Sequence, residues 1–446
     1  MHVKSYWLFS LSVTLLSLVA HASAITPCGD PAPPNPLSLG TAIDFALCNA
    51  PATRISWAQA RAQQAMLDKA QAALRPDLSA SLNITGDRTD GKNSQQQRAT
   101  VQLAYTLFDF GQRDARISQA SELLSAAQAA SDSTIANQWL NTATAYFQVG
   151  KVIAQIDAAR TTEASAQANL AAANRQLAVG TASPLDVLQT KAALSQAALD
   201  RTKAESQLAI AKGNLAVTMG ISPTQLPTLL PVSDTAPAII TAQLDQLLQQ
   251  AIQQRPEVRQ ALNNLHAADA AIKAARASRK PSLSFGATVS TNRMASPATH
   301  SDGGSFGLTL SIPFDLSSAT AASIREAEAQ QTARQAELDR TRLNAESDAW
   351  QAYHNLRSAL DTAQAAEDVV THARKAYDAA LARYQAGVSS LLDVLTAQSA
   401  RANAEQQHIT ARFDWYTARS ALAYALGGKL PTDPINWTVS GTPTPP

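Results

Sequence analysis

Aromatic side chains are scarce in this 446-residue chain, at 5%, and charge is sparse and balanced, at 16% of positions for a formal net charge of +1. That balance gives no electrostatic footprint for nucleic acid or for an anionic lipid surface. Long apolar runs are missing after residue 24, so a spanning helix of ~20 residues is excluded there, and any bilayer crossing by that part must be a closed β-barrel. The seven histidines are scattered, none in a HExxH, nucleophile-elbow or phosphate-loop context. His354, His372 and His408 read as helix-surface residues. No catalytic constellation, cofactor or metal site is expected, and two isolated cysteines without histidine at ligand spacing do not supply one.

What the chain has is alanine and glutamine. Alanine supplies much of the 45% apolar content, which suits long, closely packed helices better than a globular core rich in Leu, Ile, Val and Phe. His2 and Lys4, an apolar run from Tyr6 to Ala20 and then Ala22-Ser23-Ala24 have the form of a cleaved export signal over residues 1–24, with a mature chain beginning near Ile25. Ile25-Thr26-Pro27-Cys28 does not read as a lipid-attachment site. Cys28 and Cys48 both fall in the exported part, close together, and fit one disulfide in an oxidising compartment.

The chain is a duplication. Pro51 aligns with Pro256 and Pro76 with Pro281, each at an offset of 205. Further on Tyr146 meets Tyr353, Gly180 meets Gly387, Leu185-Asp186-Val187-Leu188 meets Leu392-Asp393-Val394-Leu395, and Gly220 meets Gly427, all at 207. Pro223, Pro227, Pro231 and Pro237 mark a linker. The expected organisation is a first repeat over 25–221, a linker over 222–240, a second repeat over 241–430 and a tail over 431–446.

Each repeat reads as helix, two strands and two long helices, with a first helix of the second repeat over Leu244–Ala277 interrupted at Pro256. The strands alternate with period two. Leu78, Ala80, Leu82 and Ile84 interleave with Ser79, Ser81, Asn83 and Thr85; Val101, Leu103, Tyr105 and Leu107 interleave with Gln102 and Thr106. The second copy repeats this with Leu283, Phe285, Ala287 and Val289, then Phe306, Leu308, Leu310 and Ile312. One face is apolar and one polar, as a membrane barrel needs. Residues 86–97 and 291–304 read as long polar loops. Four strands cannot close a barrel, but three copies of four make twelve, so the pattern demands an oligomer.

From Gly111 to Val179 and from Ser317 to Ala386 there is almost no Gly or Pro. Continuous helices there would reach on the order of 100 Å. Ala366, Val370, Ala373, Tyr377, Ala380 and Tyr384 step by four and three, the spacing of a coiled coil.

Tyr384-Gln385-Ala386-Gly387 with Leu392-Asp393-Val394-Leu395, and Leu177-Ala178-Val179-Gly180 with Leu185-Asp186-Val187-Leu188, resemble the TolC family of outer-membrane efflux proteins, and the likeness covers nearly all of the mature chain. The resemblance implies a mixed α+β membrane protein, a homotrimer whose twelve-stranded β-barrel in outer-membrane lipid continues as a helical tunnel across the periplasm. It implies an inner-membrane transporter, ABC or proton-driven, and a periplasmic adaptor as partners.

Gly180 and Gly387 fit the left-handed residue that ends a helix, and Ser183 to Asp186 and Ser390 to Asp393 fit capping boxes that start the next one. Both segments are therefore hairpin tips. Asp186 and Asp393 have two readings: helix caps, or, as the resemblance implies, an acid ring at the periplasmic constriction for Asp393 and a bond from Asp186 to Tyr384 that holds the tunnel shut. In the family's pattern an arginine stands where this chain has Ser389 and a second acid where it has Thr396, which implies a weaker closing network. The expected function is a passive exit duct for efflux or type I secretion. The alternatives, a periplasmic adaptor or a coiled-coil adhesin, account poorly for two copies of the paired strands.

Overall fold

The computed structural model describes residues 33–428 apart from 34, 90–91, 233–243, 296–297 and 315–317. The expected export signal, Cys28, much of the expected linker and the C-terminal tail lie outside the described residues. The elements come in two sets of matching lengths. α1 (Leu39–Asn49) and α5 (Leu244–Gln254) have 11 residues each, and α2 (Pro51–Ala72) and α6 (Pro256–Ala277) have 22. After the strands, α3 (Gln112–Ala178) and α7 (Ala319–Gln385) have 67, and α4 (Pro184–Thr218) and α8 (Leu391–Ala425) have 35.

Pro51 and Pro256 open α2 and α6, where a missing N–H costs nothing. The residue before each, Ala50 and Arg255, is extended, at ψ 134 and 130, as the proline ring requires of its neighbour. The helix expected over Leu244–Ala277 is thus two helices broken at Arg255.

Many of the scarce aromatics gather where α1 and α5 close over the middle of the long helices. Trp139, Tyr146 and Phe147 of α3 meet Phe413, Trp415 and Tyr416 of α8 in one core, with Phe147 stacked on Tyr416 at 5.3 Å. Part of the expected linker belongs to this core: Leu37 donates to the Thr228 carbonyl and accepts from Leu230, and the Tyr146 hydroxyl donates to the Leu230 carbonyl at 2.7 Å. At Gly220 a methyl group would stand 2.7 Å from the Asn49 carbonyl oxygen, so the end of α4 docks backbone to backbone on the end of α1. Away from this belt the helix contacts are largely alanine, as at Ala363, Ala366 and Ala411. Small side chains there let the backbones approach closely along rods of roughly 100 Å.

β1 (Asp77–Thr89), β2 (Lys92–Phe108), β3 (Ser282–Ala295) and β4 (Ala298–Ser311) form one antiparallel sheet in chain order, so β2 and β3 join the two halves. The register puts Leu78 opposite Leu103, Leu103 opposite Ala287 and Ala287 opposite Phe306. The next row is Ala80, Val101, Val289 and Gly304; the alternate row is Ser79, Gln102, Thr288 and Ser305. One face is apolar across all four strands and the other is polar.

The long polar loops expected at 86–97 and 291–304 are corrected here. The strands run on through most of both stretches, to Thr89 and from Lys92, and to Ala295 and from Ala298. Ladder hydrogen bonds are made by backbone, so pairing outlasts the apolar pattern that lipid imposes.

Candidate functional site

Two parts of the molecule carry chemistry: the sheet and the two hairpin tips at the far end of the rods. On the sheet Leu78, Leu82, Val289, Phe306, Leu308 and Leu310 are all more than half exposed, Phe306 at 84%. No helix covers this face, and the outer edges of β1 and β4 have no strand neighbour among the described residues. A sheet with one bare apolar face and two open edges is unstable in water as a single copy.

At the tips the helices end as their sequences dictate. Gly180 and Gly387 lie at φ 79 and 76. Thr181 N–H donates to the Gln176 carbonyl at 2.9 Å and Val388 N–H to that of Arg383 at 3.0 Å, the closing bonds of a left-handed helix stop. Each following helix begins with a capping box. Asp186 Oδ2 accepts from Ser183 N–H at 2.7 Å and from its hydroxyl at 3.0 Å, and Asp186 N–H donates back to Ser183 Oγ at 3.2 Å. In the second tip Asp393 Oδ2 accepts from Ser390 N–H at 3.1 Å and Asp393 N–H donates to Ser390 Oγ at 3.3 Å.

Tyr384 is buried with Tyr377, Leu391 and Val394. Its hydroxyl has no hydrogen-bond partner among the described residues, nor has the hydroxyl of Ser389. The structure thus brings Asp186 and Tyr384 near one another without the hydrogen bond between them; burial first, then the charge of Asp186, pushes the Tyr384 pKa up. Asp393 stands exposed at the start of α8.

Sequence reasoning missed three polar groups. About three helix turns from the tips, Asn169 Nδ2 donates to Gln398 Oε1 at 2.9 Å and to the Tyr377 hydroxyl at 3.4 Å, tying α3 to α7 and α8. Glu405, 8% exposed, takes Arg401 at 3.0 Å and Arg374 at 3.3 Å. Near the central belt Arg255, 7% exposed, donates to Asp348 at 2.6 Å and to Glu257 at 3.2 Å. Glu257 also accepts from the hydroxyls of Ser133 at 2.7 Å and Tyr424 at 3.3 Å. The spacings of Arg401 with Glu405 and of Arg255 with Glu257 are local; Arg374 lies 31 positions from Glu405, and the rest join residues more than ninety positions apart and leave no local signal.

A profile of outer membrane efflux proteins matches residues 42–221 and 247–428. The chain belongs to that family. Protein CyaE of Bordetella pertussis is 32% identical over 411 residues, covering 90% of this chain and 86% of the relative. The toluene efflux pump outer membrane protein TtgF of Pseudomonas putida is 31% identical over 370 residues, covering 80% and 74%. The crystal structure of the outer membrane protein VceC of Vibrio cholerae superposes with a TM-score of 0.75 at 21% identity, covering 87% of this chain and 96% of that one, a likeness of fold. Membership makes the chain an outer-membrane channel protein whose rods extend into the periplasm, and gives the bare sheet its surroundings. Neither the adaptor nor the adhesin alternative draws support from these relatives.

Proposed function

We propose that three copies of this chain close into a twelve-stranded barrel continued by a helical tunnel, and that the trimer is the passive exit duct of a tripartite efflux or type I secretion system. The observation that carries this is the four-stranded sheet, apolar and exposed on one face and open at β1 and β4. Pairing β4 of one copy with β1 of the next satisfies both edges and turns the apolar faces to lipid and the polar faces to a lumen.

The duct performs no bond chemistry of its own, and the reading needs no cofactor. A periplasmic adaptor and an inner-membrane transporter engage the tips around Gly180, Gly387 and Ser389, and the hairpins splay to let cargo pass. Asp393, three copies around the axis, would line the constriction and favour cations. Residues 25–221 and 241–430 act as the two repeats, joined by 222–240, after an export signal over 1–24 and before a tail over 431–446. Cys48, half-buried near the end of α1, is disulfide-bonded, and in a chain of two cysteines we assign Cys28 as its partner. Purified in mild detergent, the protein should run at three times its chain mass and give discrete conductance steps in planar bilayers. A folded monomer that conducts nothing contradicts the reading.

A further inference from the structure

The apolar face of the sheet does not stop at the strand ends nearest the helices. In β2 the register slips between Thr106 and Phe108, so that Phe108 stands opposite Leu283 and joins the row that continues to Leu310. Phe110 packs edge-on against Phe108, ring centroids 4.6 Å apart. It does so from the left-handed region, at φ 52, where an aromatic residue rarely sits and whose strain points to a use for the side chain. Asp109 holds the turn: its Oδ1 accepts from Gly111 N–H at 3.2 Å, and its Oδ2 accepts from Arg113 N–H at 3.1 Å and Nε at 2.8 Å. The Lys280 ammonium lies 5.9 Å from the centroid of the Phe110 ring. A continuous path therefore leads from the lipid-facing belt through two exposed aromatics to a cation.

Lys280 has company. Arg279 precedes it, and Arg75 occupies the equivalent place before Pro76 at the start of β1. All three are exposed, and none is ion-paired with another described residue. Neighbouring cations are paired: Arg113 with Asp109 and Arg276 with Glu328. β1 and β3 lie two strands apart, which spaces Arg75 and Lys280 by roughly 10 Å along the rim. The opposite rim also carries exposed cations, Arg88, Arg98 and Arg293, but there an acid stands among them, with Asp302 3.0 Å from His300. The net charge of +1 hides this local excess.

We propose that Lys280, Arg279 and Arg75 bind the phosphate of an anionic phospholipid in the periplasmic leaflet, with Phe108 and Phe110 along its glycerol and upper acyl chain. This rests on the barrel reading. Cations next to an anionic bilayer surface attract its headgroups, and salt screens the attraction, whereas aromatics favour the interface itself.

The test reconstitutes the purified full-length protein into vesicles of phosphatidylethanolamine with and without phosphatidylglycerol, and counts retained lipids by native mass spectrometry. Phosphatidylglycerol should be retained in preference, roughly threefold to fivefold per cation removed being lost in Lys280→Gln and Arg279→Gln and regained in Lys280→Arg. Equal retention of the two lipids, or a preference that the double glutamine variant keeps, overturns the proposal while leaving the barrel intact. Failure of the folded protein to insert into either vesicle overturns the barrel reading and this proposal together. Because Lys280→Arg keeps the charge, a loss in the glutamine variants that arginine does not restore also counts against it.

Discussion

The Tyr384 hydroxyl is buried without a hydrogen-bond partner although the Asp186 carboxylate is close enough to act on its ionisation; Asp186 spends its Oδ2 on Ser183 instead. Asp186 is therefore first a helix cap. Tyr384→Phe removes a hydroxyl that bonds nothing, so thermal stability at neutral pH should stay within about 0.5 kcal/mol of wild type. Asp186→Ala should cost about 1 kcal/mol through the lost cap. Because Tyr384 has its pKa raised in the folded state, its contribution is whole below the unfolded tyrosine value of about 10 and is lost as pH rises beyond it. Thermal melts from pH 8 to 11 should show a falling limb that Tyr384→Phe flattens.

The second tip separates cap from charge. Asn at position 393 can still accept from Ser390 N–H, so Asp393→Asn should leave helicity and trimer stability unchanged. If three carboxylates line the constriction, planar-bilayer measurements should show a small cation-preferring conductance whose preference falls in the variant. Reversal potentials in a salt gradient read this directly, and an identical reversal potential in both proteins would leave Asp393 as a cap alone.

Much of this was legible because it is local. The prolines at 51 and 256, the Gly180 and Gly387 stops and the Ser183 and Ser390 capping boxes are each written within four or five residues, and the period-two runs fixed which face of the sheet is apolar. Of the heptad, Ala366, Val370, Tyr377 and Tyr384 turned fully inward, while Ala373 and Ala380 are half-buried at its edge. Strand ends were illegible because beyond the lipid-facing belt nothing selects apolar residues, while backbone pairing continues past Ile84 and Thr291. The Arg255 and Asn169 groups were illegible for another reason: Asp348 lies on a separate helix of the same repeat as Arg255, and the partners of Asn169 lie on helices of the other repeat, so these contacts exist only once the helices have packed.

Arg255 shows what such a contact is worth. It is nearly buried between Glu257 and Asp348, with its guanidinium 5.5 Å from the Tyr424 ring centroid. Arg255→Met would leave Glu257 without its cation, and breaking a buried pair from one side costs about 3 kcal/mol. For Glu257, burial pushes the pKa up, but the Ser133 hydrogen bond and the charge of Arg255 outweigh it and hold the carboxyl below its ordinary value. A depressed folded pKa contributes stability that is present above the unfolded value of about 4.3 and lost as pH falls through the folded one. Denaturation followed from pH 6 down to 3 should therefore show an acid limb that is shallower in Glu257→Gln.

The sheet offers a test in which neighbours in sequence have opposite fates. Leu308 stands opposite Phe285, itself opposite Tyr105, on the apolar face; Thr309 stands opposite Ser284 on the other. If the apolar face meets lipid, Leu308→Arg places a charge in hydrocarbon at a cost of about 2–4 kcal/mol per copy, three times over in a trimer, and should abolish outer-membrane assembly. Thr309→Arg points into water and should assemble, shifting conductance toward anions. Heat-modifiable mobility of membrane fractions on gels reports assembly for both. If both variants assembled equally well, neither face would meet lipid, because only a sheet with water on both sides treats adjacent residues alike; if Thr309→Arg alone failed, the two faces would be reversed.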